Sequence, residues 1–282
     1  MADRGSLVVG LDGSDTSLIA LDWAAAEATE RGWALHLVSA FLPRIPEVAY
    51  SGGLQVASAG REAAEKIFET ARRRLTDGGH GDLTISTAAR EGFPRRVLLW
   101  EADRAHGLVV GRHGTGRLAD LLLGSTSLAC ATHSTGTPVV IVPRSWQLRT
   151  GTESQRLVVV GVDGSVRGRA AVEYAFTVAA AWGASLRAVL AYDIASDASR
   201  YLAEALAGWV STYPDVPVTR TIEMGHPAQA IRAHSADADL VVIGGRGHSE
   251  VTGMLLGSVA RAVLYLVDRP TAVVHERTGR RS

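Results

Sequence analysis

The sequence predicts an α/β protein of two tandem domains, each built on a doubly wound, five-stranded parallel sheet. Two observations lead to this prediction. Short hydrophobic runs alternate with segments of helical period along the 282-residue chain, and strands separated by helices form parallel sheets that helices cover on both faces. Two different motifs also occur twice in the same order, which indicates a duplicated domain.

The individual elements are predicted from the length and period of the hydrophobic runs and from the glycine and proline residues that bound them. In the first half, strands are predicted at 7–11, 34–40, 83–87, 108–111 and 138–142. Helices are predicted at 16–31 before the stop at Gly32, at 94–106 with proline in the first turn, and at 124–134. The second half repeats the strands at 157–162, 185–191, 216–223, 240–244 and 271–274.

The repeated motifs lie at the ends of the first and fourth predicted strands. Residues 7–14 read LVVGLDGS and residues 158–165 read VVVGVDGS. The second motif reads G-x-x-G, nine residues, then G-S, and begins at Gly111 and at Gly244. The first pair is 151 residues apart and the second 133, so the first half carries 18 extra residues. We expect them in an irregular loop or lid at 42–60, which is rich in Pro and Gly.

The duplication sets the predicted domain bounds. The first domain is expected at 1–145 and the second at 156–282. The residues between them, 146–155, are polar and contain Gly, Ser and Thr, as is typical of a short linker.

Composition narrows the class of partner. Hydrophobic residues make up 46% of the chain, and 29 basic residues balance 29 acidic ones. Zero net charge predicts no general attraction to nucleic acid or to an anionic membrane. No apolar run approaches the roughly 20 residues that cross a bilayer, and the single cysteine fits a reducing compartment. We therefore expect a cytoplasmic protein.

The predicted fold indicates where a ligand would bind. In an open doubly wound sheet, ligands bind beyond the carboxyl ends of strands, where the winding reverses. Asp12 and Asp163 follow the first strands, and the glycine loops follow the fourth. Backbone N–H groups of such a loop, together with a helix N-terminus, can hold phosphate, while a carboxylate can accept hydrogen bonds from ribose. The pattern predicts a nucleotide site in each half.

Each motif also has a purely structural interpretation. Asp-Gly-Ser at a strand end is often a turn, and Gly-Ser before a helix is often a cap. The recurrence of both motifs in both halves favours the binding site. Within the loops, His113 and His248 are interpreted as solvent-facing residues, and Arg112 and Arg246 either reach phosphate or lie on the surface. Cys130, on a predicted helix, is expected in the core.

With these motifs the chain resembles a tandem universal stress protein of the ATP-binding type. Nucleotide-binding members of that family share G-x2-G-x9-G-[ST] after the fourth strand and an aspartate after the first. The resemblance covers nearly the whole chain. It implies strand order 3-2-1-4-5 and an adenine nucleotide alpha hydrolase-like fold, related to nucleotidylyltransferases and PP-loop enzymes. It also implies final strands that pair across domains or subunits, and hence a homodimer of tandem chains.

The same resemblance implies roles for particular residues. Asp12 and Asp163 would bind ribose, and the backbone at Ala40 and Ala191 would contact adenine. The phosphates would be held by Gly111, Gly114, Gly124, Ser125, Gly244, Gly247, Gly257 and Ser258. Neighbouring positions complete the predicted site: Gly10, Gly161, Arg112, Arg246, Thr126 and Val259. The implied ligand is ATP, alone or with Mg²⁺, and no catalytic or metal-ligating residue is predicted.

The leading functional hypothesis is an ATP-binding regulatory protein, a stress-response nucleotide sensor with two sites per chain and an unknown protein partner. Lys66 is the only lysine, so no glycine loop carries the lysine of a P-loop. We therefore expect little or no hydrolysis. The alternatives are an ATP-dependent nucleotidyl or phosphoryl transferase, and a module that binds cyclic AMP or no nucleotide.

Overall fold

The computed structural model describes residues 2, 5–42, 53–114, 123–148, 155–192, 197–246 and 256–276. The first half contains β1 (Ser6–Gly10), α1 (Asp15–Arg31), β2 (Ala34–Phe41), α2 (Gly53–Asp77), β3 (Ile85–Glu91), α3 (Pro94–Ala102), β4 (Gly107–Gly111), α4 (Ser125–His133) and β5 (Val139–Val142). The second half contains β6 (Leu157–Gly161), α5 (Arg169–Trp182), β7 (Ser185–Tyr192), α6 (Ala198–Thr212), β8 (Val218–Met224), α7 (Pro227–Ala233), β9 (Leu240–Gly244), α8 (Ser258–Leu266) and β10 (Thr271–Val274).

The strand order is the same in the two halves. It is β3-β2-β1-β4-β5 in the first and β8-β7-β6-β9-β10 in the second. The pairings of β1 with β2 and β4, and of β6 with β7 and β9, are all parallel. The order reverses beside β1 and β6, so the crevice for a ligand lies between β1 and β4 and between β6 and β9. The predicted fold class and strand order are confirmed.

The chain divides into two compact units. One comprises Met1–Cys130 with Ile141–Arg144, and the other comprises Ala131–Val140 with Ser145–Ser282. The predicted bounds of 1–145 and 156–282 stay a prediction. Among the described residues, no helix is long and apolar enough to span a membrane.

The central strands form because their residues are apolar on both faces. Leu7, Val8 and Val9 of β1 are almost completely buried, as expected for a strand that helices cover on both sides. Helix α1 begins after Ser14, whose side chain accepts a hydrogen bond from the Ser17 N–H, and ends at Gly32 with φ 65°. The predicted helix and its stop at Gly32 are confirmed.

The sequence prediction was wrong at several elements near the edge of the first half. Residues 53–60 were expected in an irregular loop, yet they open α2, a 25-residue helix that the prediction missed. Its buried residues Ala64, Phe68, Ala71 and Leu75 recur at helical spacing, a signal that the prolines and glycines before them obscured. The rest of the predicted loop, 43–52, lies outside the described residues.

Two further boundaries differ from the prediction. The third strand runs from Ile85 to Glu91 instead of 83–87, because its half-exposed residues give a weak hydrophobic signal. Helix α3 ends at Ala102 instead of His106, and the Ala105 N–H bonds back to the Ala102 carbonyl in a turn. Both differences leave the strand order unchanged.

Cys130 packs in the core, as expected. Its side chain is inaccessible to solvent, and burial raises the pKa of the thiol to about 12. A thiol with so high a pKa stays protonated and unreactive at neutral pH.

A buried polar network joins α3 to the second and third strands. The Glu101 carboxylate, which is 0% exposed, accepts a hydrogen bond from Arg90 Nε at 2.7 Å and contacts His36 Nε2 at 3.1 Å. His36 Nδ1 lies 2.7 Å from Ser86 Oγ. Burial opposes ionisation of Glu101, but hydrogen bonds that include those from Arg90 and His36 outweigh it and lower its pKa. The network therefore requires the carboxylate form.

This network predicts acid-sensitive stability. Because the folded pKa of Glu101 lies below the ordinary 4.5, its stabilisation is complete above that value and is lost as the pH falls through the folded pKa. Glu101→Gln should lower the free energy of unfolding by about 2 kcal/mol near neutral pH and by less near pH 3, as measured by urea unfolding. Glu65→Gln on the exposed face of α2 is the matched control. An equal loss at both pH values would contradict the assignment.

Candidate functional site

The carboxylates after the first strands organise the turns in which they lie. Asp12 Oδ1 accepts hydrogen bonds from the Ser14 N–H at 3.0 Å and the Ser14 hydroxyl at 2.6 Å. Asp163 Oδ1 accepts the same pair from Ser165, both at 2.9 Å. The intervening glycines have φ of 81° and 67°, a conformation that side chains strain. The structural interpretation of Asp-Gly-Ser as a turn is confirmed, and ribose binding stays a prediction.

In the first half, the glycine loop lies directly against this turn. A Cβ atom added at Gly111 would lie 2.6 Å from the Thr16 carbonyl oxygen, and one at Gly114 would lie 2.6 Å from Asp12 Oδ2. The Thr16 hydroxyl donates a hydrogen bond to the His113 carbonyl. The structure therefore brings the loop and the carboxylate together, as the topology predicted.

Each glycine loop closes on itself at the start of the following helix. The Gly124 N–H donates to the Arg112 carbonyl at 2.8 Å, and the Gly257 N–H donates to the Gly245 carbonyl at 2.8 Å. This hydrogen bond fixes the N-terminus of α4 or α8 beside the start of its loop. The first N–H groups of a helix have no partner within the helix and carry partial positive charge, so each helix N-terminus can attract an anion at this edge of the sheet.

The remaining predicted residues of the first half lie at the expected ends of elements. Gly10 is the last residue of β1, and Ala40 is the second-last of β2. Ser125 and Thr126 are the first two residues of α4. Gly114 directly precedes residues 115–122, which lie outside the described residues.

In the second half, the predicted residues line one cavity of about 760 Å³. Its lining includes eight of the nine candidates: Gly161, Asp163, Ala191, Gly244, Arg246, Gly257, Ser258 and Val259. The ninth, Gly247, lies outside the described residues, as does His248. A volume of this size falls in the range of small-molecule sites, about 300–1,000 Å³.

The lining of the cavity combines apolar and polar groups. Its apolar residues include Val189, Leu190 and Ile231, which suit the face of a heterocyclic ring. Its polar groups include Asp163 and the N-terminus of α8 at Ser258. This set of groups can bind a molecule that combines an apolar ring, hydroxyl groups and an anion.

The two halves differ in the length of the turn after the first strand. Helix α1 begins three residues after Asp12, whereas α5 begins six residues after Asp163. The nearest atom to a Cβ added at Gly244 would be the Arg246 carbonyl oxygen at 3.3 Å, so Gly244 is packed less tightly than Gly111, whereas a Cβ added at the next residue, Gly245, would overlap the His275 ring. The shorter turn after Asp12 lets α1 contact the loop at Gly111. The longer turn after Asp163 leaves more space in the second half.

The two loop arginines also differ between the halves. Arg112 holds the second position of its loop and Arg246 the third, so Gly245 corresponds to Arg112 and His113 to Arg246. Arg246 is exposed and lines the cavity. Whether each arginine reaches phosphate or lies on the surface stays a prediction, and because their positions in the loops are not equivalent, each arginine requires its own test.

The sequence analysis missed the wall that α6 contributes to the cavity. Asp197, Arg200, Tyr201 and Glu204 line it. The Tyr201 hydroxyl donates to the Asp163 carbonyl at 3.1 Å, and its ring covers Gly164. The internal repeat gave no signal here, because the residue near the corresponding glycine of the first half is Ile67.

The fold and the site together define a tandem α/β protein with a crevice at the carboxyl edge of the strands in each half. The universal stress protein family model matches residues 4–143 and 155–275. A universal stress protein of Mycolicibacterium smegmatis is 33% identical over an alignment of 295 positions, which covers 98% of this chain and 99% of that protein. The chain therefore belongs to the universal stress protein family.

A solved structure that spans nearly the whole chain has the same fold. A universal stress protein from Archaeoglobus fulgidus covers 98% of this chain and matches over 100% of its own length, with a TM-score of 0.74 at 20% identity. A universal stress protein solved in complex with cAMP covers 44% of this chain and matches over 98% of its own length, at 31% identity and a TM-score of 0.38.

The close packing at Gly111 predicts that Gly111 and Gly244 differ in how well they tolerate replacement by alanine. Gly111→Ala should lower the free energy of unfolding by about 2 kcal/mol, since its Cβ would overlap backbone that cannot move aside without shifting α1. Gly244→Ala should cost less, because only a few tenths of an ångström of movement are needed. Thermal and urea unfolding of the two variants measure this difference. Equal losses would show that the two loops are packed alike.

Proposed function

We propose that this protein is an ATP-binding regulatory protein, a stress-response nucleotide sensor with one nucleotide site in each half. The observation that carries the proposal is the cavity of about 760 Å³ in the second half. Its lining unites Asp163, the glycine loop and the N-terminus of α8. The equivalent residues of the first half, Asp12 and Gly114, also lie together.

The proposed pose of ATP follows from the chemistry of the lining. Adenine would lie against the apolar residues near Ala191, whose strand-end backbone offers hydrogen bonds. Ribose hydroxyls would donate to Asp163. The phosphates would lie at Gly244, Gly257 and Ser258, where backbone N–H groups and the dipole of α8 favour negative charge. Arg246, on the same rim, adds a positive charge.

We propose that the bound nucleotide is held and not rapidly hydrolysed. The phosphoryl-transfer sites of P-loop proteins and protein kinases combine a lysine at the phosphates with a residue that positions the nucleophile. The only lysine, Lys66, lies on the first-half helix α2, so the second-half cavity contains none. A regulatory role fits a site that recognises the nucleotide through backbone groups. Its consequence would be a change in conformation or in protein partner.

Three further expectations accompany this proposal. We propose a cytoplasmic location, which a single buried cysteine supports because disulfide chemistry is not required. A homodimer of tandem chains and an unknown protein partner are also expected. Chemical crosslinking and sedimentation at several protein concentrations test the dimer.

Binding can be tested by calorimetry on protein stripped of nucleotide. ATP should bind, and Asp163→Ala combined with Asp12→Ala should weaken it about tenfold to a hundredfold, the usual cost of lost hydrogen bonds to a charged group. Asp163→Asn keeps an oxygen that accepts hydrogen bonds from Ser165 but removes the negative charge. Comparing it with Asp163→Ala therefore separates the effect of losing the turn from the effect of losing the charge. Asp215→Ala, outside the cavity lining, is the control.

The outcomes distinguish the functional alternatives. No affinity of the unmodified protein for ATP would refute the proposal. Tighter binding of cAMP in the same titration would assign the cavity to the cyclic nucleotide. Mass spectrometry of small molecules extracted from the purified protein gives an independent identification.

Turnover provides a separate test of the regulatory role. We expect ATP consumption well below about 1 per second, the lower end of ordinary enzyme rates, as measured by the loss of ATP and the appearance of ADP, AMP or pyrophosphate with and without Mg²⁺. Rates at or above this value, lost together with ATP binding in the Asp163→Ala variant, would establish the alternative of a nucleotidyl or phosphoryl transferase.

A further inference from the structure

A second cavity of about 540 Å³ adjoins the first in the second half. It lies between the start of α5 and one face of α6. The two cavities share Val162, Asp163, Gly168, Tyr201 and Glu204 in their linings. Asp163 therefore stands at the junction, and a group attached to a molecule at Asp163 can extend into either space. We call the second cavity the α5–α6 groove.

One residue on α6 distinguishes this groove from the corresponding place in the first half. Tyr201 and Ile67 are counterparts, since each lies nearest the glycine of its Asp-Gly-Ser turn. Seven positions later, the first half has Arg74 and the second has Gly208. Arg74 bridges α2 to α1 through two hydrogen bonds of 2.7 Å to the Asp22 carboxylate. Gly208 cannot form such a bridge, and the space stays open.

Gly208 has no steric reason to be a glycine in this structure. A Cβ added there would meet no atom within 4 Å. Glycine in the interior of a helix destabilises it relative to other residues. Gly208 therefore weakens α6 without relieving a clash. A ligand that uses the space beside Gly208 would explain why the position is a glycine.

The lining of the groove indicates the chemistry of its occupant. Tyr201 and Trp209 supply two aromatic side chains, and Val166 and Val172 supply aliphatic surface. Asp163 and Glu204 also line it, against Arg169 as the one basic side chain of the lining. Aromatic walls favour a planar ring, and the acidic groups disfavour negative charge on it.

We propose that the α5–α6 groove is a second ligand subsite, which accepts a planar aromatic group without negative charge carried on the ribose of the nucleotide bound at Asp163. The inference rests on the proposed function, because Asp163 holds the ribose and thereby directs its 2′ and 3′ positions to the junction. In the described part of the first half, the Arg74 bridge stands at the place that corresponds to this subsite.

The test compares ATP with 2′/3′-O-(N-methylanthraniloyl)-ATP, whose fluorescent ring is aromatic and uncharged. Titration of the full chain should show about tenfold tighter binding of the derivative than of ATP, at one site per chain. Energy transfer from tryptophan to the bound ring should decrease in a Trp209→Phe variant.

Variants of Gly208 provide the decisive comparison. Gly208→Arg introduces into the groove the arginine that the first half has at position 74. It should abolish the preference for the derivative over ATP while leaving the affinity for ATP unchanged. Gly208→Leu fills the same space without charge and should do the same. Ala207→Arg, exposed on the neighbouring position of α6, is the matched control and should keep the preference. Both Gly208 replacements favour helix, so the fold should be retained.

Each outcome has one meaning. ATP binding without preference for the derivative overturns the subsite and leaves the proposed function standing. A preference that survives in both Gly208 variants also overturns it. Failure of the unmodified protein to bind either nucleotide refutes the proposed function and the subsite together.

Discussion

In the first half, the glycine that ends the fourth strand must lie against the helix that follows the first strand. Gly111 approaches the backbone of α1 so closely that a Cβ would lie 2.6 Å from a carbonyl oxygen. This approach brings the loop after β4 to the carboxylate after β1. The hydrogen bonds that close both loops then fix the N-termini of α4 and α8 at the same edges. The candidate site of the first half depends on that single steric requirement.

In the second half, the glycine that ends the fourth strand is packed less closely, and the space around the motifs is larger. Three additional residues precede α5, and the contact at Gly244 is looser than that at Gly111. The result is a cavity that the longer turn, the strand ends and α6 enclose together. Duplication has thus kept the motif and changed its surroundings. The two nucleotide sites proposed here share their recognition groups but differ in the room around them.

The aspartates serve the fold whether or not they serve a ligand. Each carboxylate accepts two hydrogen bonds from the serine two positions later and so shapes the turn before the following helix. A carboxylate has about four acceptor directions, so structural bonds to one oxygen are compatible with binding a hydroxyl group. The structural and functional interpretations of Asp-Gly-Ser are therefore not exclusive, which explains why a sequence motif alone does not separate them.

The parallel sheets, the duplication and the edge at which the motifs meet can all be predicted from the sequence alone. They follow from the apolar runs of β1 and β6, whose residues are buried on both faces, and from motifs whose spacing repeats. The surroundings of the motifs could not be predicted in this way. Helix α2 was missed because Pro and Gly before it suggested a loop, and the roles of Tyr201 and Gly208 were invisible because they are set by neighbours distant in sequence. The period of hydrophobic residues indicates which face of an element is buried. The space between two helices depends instead on residue pairs such as Arg74 with Asp22. These pairs are distant in sequence, so only the three-dimensional packing reveals them.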